Sequence, residues 1–276
     1  MNKSLVKVSL ALAAMLTLST ANAGIASTKH NLSSTGTGIN KFSGTEEICV
    51  FCHTPHGADA SASVPLWNRT LASPASYTTY NSLGTSSLDG ASVQVGSVSI
   101  ACLSCHDGVQ AMNTMINAPG SGSAGSAAFI AGAWSGANQD GGKIKAGIAS
   151  NLDQNLKNDH PIGIQYGGGP STSSIPSSGD YSTFKDPDFN VAKSTTLNNM
   201  QVWWVDTGTI GRQKTDLQLY TRTETSYTGG TTSDIASTVA QPYVECATCH
   251  DPHSENVTFL RKVNTGSALC LACHIK

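Results

Sequence analysis

CVFCHTPH, Cys49 to His56, is the stretch on which the reading of this chain turns. Two cysteines separated by two residues, with a histidine directly after the second, form the attachment signature of a c-type haem. Each thiol adds to a porphyrin vinyl group and the histidine becomes the proximal ligand of the iron. The pattern returns as CLSCH (Cys102, Cys105, His106), CATCH (Cys246, Cys249, His250) and CLACH (Cys270, Cys273, His274). With Cys49, Cys52 and His53 as the first, these are motifs 1 to 4 in chain order, and they use all eight cysteines. Structural zinc does not require a histidine after the second cysteine, and disulfides do not require pairs spaced two apart. The repeated register therefore points to four covalently bound haem c groups, with no thiol left for a disulfide.

The chain has eight histidines, and outside the motifs they are His30, His56, His160 and His253. Four haems need four distal ligands to become six-coordinate, and imidazole is a standard axial ligand. The expected axial set is thus His53, His106, His250 and His274 with His30, His56, His160 and His253. Met112, Met115 and Met200 are read as packing residues with an adaptable thioether. His56 and His253 lie three residues after a motif histidine, in CHTPH and CHDPH. The thioethers and the proximal bond hold that backbone on one face of its own haem, so each is expected to ligate a neighbour: His56 the haem of Cys102 and Cys105, His253 the haem of Cys270 and Cys273.

Met1 to Ala23 reads as a secretory leader, with Lys3 and Lys7, an apolar run from Val8 to Leu18, and Ala21-Asn22-Ala23 as the cleavage site. The apolar run is too short for a membrane span. Removing 23 of the 276 residues leaves 253, beginning at Gly24. The expected organisation is a leader over 1–23 and a single tetrahaem domain over 24–276. Within it, 24–110 carries motifs 1 and 2, 111–240 is a haem-free covering region holding axial His160, and 241–276 carries motifs 3 and 4. An exported product is expected, extracellular or at the cell surface, with the periplasm as the alternative.

Only 39% of residues are hydrophobic and 6% aromatic, against 27 glycines, a poor composition for a conventional core of this size. The expected fold is a multihaem c-type cytochrome low in regular secondary structure. It is mostly coil, with short helices at the haem motifs, a few short β-strands and a core formed by four haems. The chain without cofactor is accordingly expected to be unfolded. Without Lys3 and Lys7 there are 14 basic against 18 acidic side chains, and haem propionates add negative charge, which disfavours nucleic acid as a partner.

Locally, the Gly-, Ser- and Thr-rich segment around His30 reads as an extended arm, and Trp67 in PLWNRT as an aromatic packed on haem or in ordinary core. SVQVGSVSI, Ser92 to Ile100, alternates polar and apolar residues and suggests a strand or hairpin. APGSGSAGSAAFIAGAWSGANQDGG reads as a small-residue loop. QVWWVD (Gln201 to Asp206) and DLQLYTR (Asp216 to Arg222) read as a hairpin covering the haems. No nucleophile elbow, phosphate loop or dinucleotide fingerprint is present. The glycosylation-type triplets at Asn31, Asn68 and Asn256 are read as chance.

CVFCHTPH with KHNLS before it, and CHDPH followed by TFLRKVNTGSALCLACH, resemble the doubled-CXXCH multihaem cytochromes of metal-reducing bacteria, whose tetrahaem extracellular members polymerise into filaments. The resemblance implies bis-histidine haems stacked in one continuous chain. It also implies an axial histidine donated between subunits, for which His30 is the candidate, so that the partner is a second copy of this chain. Other redox proteins or extracellular electron acceptors are the further partners expected. If all eight histidines ligate, no iron keeps an open position for a substrate, and the expected role is electron transfer without turnover, at low potential. The alternatives are a monomeric electron shuttle and a multihaem reductase with one open haem.

Overall fold

The computed structural model describes residues 24–90, 92–120, 125–170, 180–208, 211–222 and 241–275. The expected leader lies outside them. Strands β1 (Lys41–Phe42) and β2 (Trp134–Ser135) pair antiparallel, as do β3 (Gln139–Asp140) and β4 (Lys143–Ile144). A five-stranded antiparallel sheet is built from β5 (Ile164–Gln165), β6 (Ala192–Leu197), β7 (Met200–Val205), β8 (Leu217–Arg222) and β9 (Gln241–Val244), in the order β5-β9-β8-β7-β6. Helices α1 (Ser97–His106), α2 (Ala127–Ile130), α3 (Cys246–Cys249) and α4 (Cys270–Cys273) are short. Among the described residues no helix is long and apolar enough to cross a membrane.

The Trp203-Trp204 segment and its partner pair as the alternation predicts, with Trp203 opposite Leu219 and Val205 opposite Leu217. These four side chains are fully buried on one face, at 0 to 1% exposure. On the other face Tyr220 and Arg222 project toward motif 3. Strand β6 was not foreseen: its AKSTTL sequence is polar and half-exposed. It is joined to β7 by Asn198 and Asn199, both at positive φ (49° and 63°) between the paired Leu197 and Met200. This is the two-residue turn whose twist matches a hairpin, and asparagine tolerates the left-handed region better than most residues.

Three sequence expectations are corrected. The alternating stretch from Ser92 makes only an isolated bridge, Ser92 to Ile164, before α1 begins at Ser97. Ser99 of this stretch is wholly buried and its hydroxyl donates to Glu245. The small-residue loop contains α2, capped by the Ser126 hydroxyl, and the strand β2. Met112 is buried as expected, but Met200 is 68% exposed at the tip of its hairpin.

The core is not left to cofactor alone. One side-chain cluster lies under the sheet around Trp203, Tyr166 and Tyr181, and Leu269, Ala272 and Cys273 of motif 4 pack against it. A second joins Trp67, Tyr77, Ile100 and Leu103, and a third joins Phe42, Phe51 and Phe129; Cys52 of motif 1 touches both. Few aromatics suffice because they are concentrated where the motifs need backing. The sheet also crosses the boundary drawn at residue 240, since β9 lies between β5 and β8.

Candidate haem-attachment sites

Each motif closes one helical turn. The backbone N–H of His53, His250 and His274 donates to the carbonyl of the first cysteine of its motif at 2.8, 3.1 and 2.9 Å, while motif 2 forms the end of α1. An i to i+3 spacing on such a turn puts both thiols on one side, with the histidine next in line. All eight thiols are unbonded.

The motif histidines are held by one device. Nδ1 lies 2.8 Å from the Pro65 carbonyl in His53, 2.7 Å from that of Ser150 in His106, and 2.8 Å from that of Thr258 in His250. A proton placed on Nδ1 to make this bond leaves Nε2 as the bare donor that a metal takes, and fixes the plane of the ring. Burial lowers the His106 pKa and holds that of His30 down to about 4, so both rings are neutral at physiological pH.

Motifs 1 and 3 share a scaffold that extends beyond the pattern itself. The Asn68 N–H donates to the Cys52 carbonyl at 2.9 Å, and the Arg261 N–H to the Cys249 carbonyl at 2.8 Å. Thr54 donates to Leu66, and Asp251 to Phe259, each at 2.8 Å. Leu66 and Phe259 occupy the same left-handed region, at φ 57° and 59°. PLWN at 65–68 thus repeats TFLR at 258–261 as a return strand that presents a carbonyl to the motif histidine. Sequence reasoning saw the motifs but not this repeat, because the two returns share conformation and not residues. Motifs 2 and 4 are backed from the covering region instead. Leu152 donates to the His106 carbonyl at 2.7 Å, and Asn190 to the Cys273 carbonyl at 2.8 Å.

Two of the spare imidazoles face motif imidazoles. His253 and His53 have ring centroids 6.4 Å apart and planes within 10°, and His30 and His106 have centroids 6.1 Å apart with planes at 73°. With each nitrogen about 2.0 Å from a metal and about 1.1 Å from its ring centre, two imidazoles across one iron would have centroids about 6.2 Å apart. The donor set therefore fits covalent haem: paired free thiols on one side of a turn, Nε2 bare, and a second imidazole at axial spacing. Among the described residues no group of three or more His, Cys, Asp or Glu is gathered to hold a bare metal ion.

These neighbours differ from those expected from CHTPH and CHDPH. The His253 ring lies against motif 1 and not against motif 4. Motif 2 is faced by His30 and not by His56. The reason is long-range: the arm bearing His30 folds back on its own chain. Asn31 and Ser33 in the arm are buried, and Asn31 Oδ1 accepts from both the N–H and the hydroxyl of Ser33. His30 itself stacks on Phe259, with centroids 4.0 Å apart and planes at 14°. Among the described residues no such imidazole pair is seen for His56 or His160, which are exposed, while the His274 ring lies 4.5 Å from that of Phe189. Trp67 lies edge-on to His53 at 6.1 Å.

The thiols form a series in chain order. Cys52 lies beside Cys105, and burial with that neighbour pushes it up to about 12. Cys102 and Cys246 are close neighbours, and their interaction raises the pKa of Cys102 and lowers that of Cys246. Burial pushes Cys249 up to about 11, and it lies beside Cys270 and Cys273. Between motifs 2 and 3 runs a buried polar network that the sequence did not reveal. Arg222 Nη1 meets Glu245 Oε1 at 2.5 Å, the Ser99 hydroxyl donates to Glu245 Oε2 at 2.5 Å, and the Cys246 N–H donates to Ser99 Oγ at 2.9 Å.

A family model described as the doubled CXXCH motif matches residues 239–276. A search of curated proteins returned no match. The match identifies motifs 3 and 4 as a multihaem-type cytochrome feature, which implies covalently bound haem c and electron transfer.

Proposed function

We propose that all four motifs carry haem c, and that the chain is an exported electron-transfer protein whose bis-histidine haems form one series and continue from subunit to subunit in a filament. The observation that carries the reading is the pairing of His53 with His253 at the spacing of two axial ligands. A bound haem c supplies a one-electron ferric–ferrous couple. The protein's part is to hold the His53 imidazole on the Pro65 carbonyl and the His253 imidazole beside the Asp251 carboxylate, so that no ligand need move when the charge changes. It also lines the thiols up from motif 1 to motif 4, so that haems attached there would be held as neighbours in one series. With histidine on both axial positions, no coordination site is left for a substrate, and no enzymatic turnover is expected.

The filament reading rests on the histidine count. On this reading His30 and His253 are ligands within their own chain, supported by the rings they face, so the donor to a neighbouring subunit is another histidine. His56 and His160 remain for motifs 3 and 4, and both are exposed; one of them is the junction ligand. Electron microscopy of the secreted holoprotein tests this. Filaments in the wild type and in His30→Ala, lost in either His56→Ala or His160→Ala, are expected. Discrete particles in the wild type would leave a monomeric shuttle in its place. A high-spin ferric component that binds added ligand would favour a reductase.

A further inference from the structure

Arg69 is fully buried, with 0% of its surface exposed. Its guanidinium is held by Nε to Ser104 Oγ at 3.1 Å, Nη1 to the Met112 carbonyl at 2.9 Å, and Nη2 to the carbonyls of Ser104 and Ala111 at 2.7 and 3.0 Å. Every acceptor is neutral, and no carboxylate of the described residues comes within ion-pair distance. A buried charge is ordinarily paired, because leaving water costs far more than neutral hydrogen bonds return. The other buried arginine, Arg222, obeys that rule through Glu245, while Arg261 near motif 3 lies 3.9 Å from Asp251. Arg69 is the exception, and its bonds to Ser104 place it against the helix of motif 2.

It lies between two haem-attachment sites. The N–H of its chain neighbour Asn68 donates to the Cys52 carbonyl of motif 1 at 2.9 Å. Ser104, which accepts two of the Arg69 bonds, sits between Cys102 and Cys105 of motif 2. Asp107 is buried beside motif 2, accepting from the Tyr77 hydroxyl and the Val109 N–H, each at 2.9 Å. Thioether bonds form at the vinyl edge of a porphyrin, opposite its propionates. A cation held at the cysteines is therefore not neutralised by the same haem's carboxylates.

We propose that Arg69 is a redox-tuning residue that raises the potential of the haem at motif 1, and to a smaller extent that at motif 2, above the haems at motifs 3 and 4. The inference rests on the reading of the motifs as haem sites. Adding one electron to a ferric haem, with no proton and no ligand exchange, lowers the charge of the site by one. A fixed cation in a low-dielectric setting favours that reduced state. Electrons entering the chain would then collect at its amino-terminal pair, and the series has a direction within each subunit.

The test is a potentiometric titration of the holoprotein with dithionite, following each haem by NMR signals assigned through its own cysteines. Haem content is measured first by the pyridine haemochrome. In the wild type, the motif 1 haem is expected to be reduced before those of motifs 3 and 4. Arg69→Met, which removes the charge and keeps the bulk, should move the motif 1 potential downward and leave motif 4 in place. Arg69→Lys, which keeps the charge but loses the fork of bonds, should stay near the wild type. Equal shifts in Met and Lys variants, or a shift confined to motifs 3 and 4, would overturn the proposal. Should Arg69→Met not accumulate as holoprotein, the wild-type order decides alone, and reduction of motif 1 last overturns it. Absence of covalent haem would sink the underlying reading, whereas full haem content with unchanged potentials would sink this inference alone.

Discussion

His53 and His253, near opposite ends of the chain, face one another with ring centroids 6.4 Å apart and planes 10° from parallel. The carboxyl-terminal segment thereby brings an imidazole to motif 1 that no local reading of CHDPH assigns to it. His253→Ala is expected to leave the motif 1 haem without its distal imidazole and turn that one haem high-spin. His30→Ala should do the same at motif 2. Electron paramagnetic resonance of the ferric protein checks both. A high-spin signal from motif 4 in His253→Ala would contradict the pairing.

Glu245 and Arg222 are a buried ion pair, with side chains 0% and 5% exposed. Removing one partner of such a pair leaves a charge without compensation, at a cost of about 3–5 kcal/mol. Glu245→Ala should therefore destabilise the holoprotein by that amount in guanidinium unfolding. Ser99→Ala, which leaves the Cys246 N–H and one carboxylate oxygen short of a bond, should cost about 1–3 kcal/mol. A Glu245→Ala protein as stable as the wild type would show that the network does not clamp motif 2 to motif 3.

The Asn198-Asn199 turn sets the register of β6 against β7. A β-branched residue at Asn199, where φ is 63°, is expected to cost about 1–2 kcal/mol, since such residues enter the left-handed region with strain. Asn199→Gly should hold or raise stability. Thermal unfolding of Asn199→Val and Asn199→Gly separates them; equal midpoints would argue against this turn.

What could be read from the sequence was what covalent chemistry or strict alternation fixes. The CXXCH spacing cannot drift without losing a thioether, so the motifs and their helical turns were legible. So was the Trp203 strand with its partner. Long-range packing hid the rest. The alternation around Ser99 suggested a strand, but the residue lies in a helix and is a buried hydrogen-bonding group. The segment around His30 read as an extended arm, and where it docks, with His30 stacked on Phe259, is set by distant residues. Arg69 and Glu245 are charges in the core, which composition does not single out, and β6 is a polar edge strand signalled only by Asn198-Asn199.

Burial raises the pKa of Tyr77, Tyr166, Tyr181 and Tyr220, the last to about 12. A phenol whose folded pKa lies above its unfolded value of about 10 stabilises the fold fully below that value and loses the contribution as pH rises toward the folded pKa. The holoprotein should therefore keep its stability up to about pH 10 and lose it steadily from there to about pH 12. Denaturant midpoints across that range check this, and a flat profile would mean that these phenols are not held in the core.

The most direct test of the central claim is the intact mass of the exported protein made in a cell that matures c-type cytochromes. The account predicts the mass of the processed chain plus four haem groups, resistant to acid–acetone extraction. A chain carrying fewer covalent haems, with the remaining cysteines as free thiols or disulfides, would contradict it.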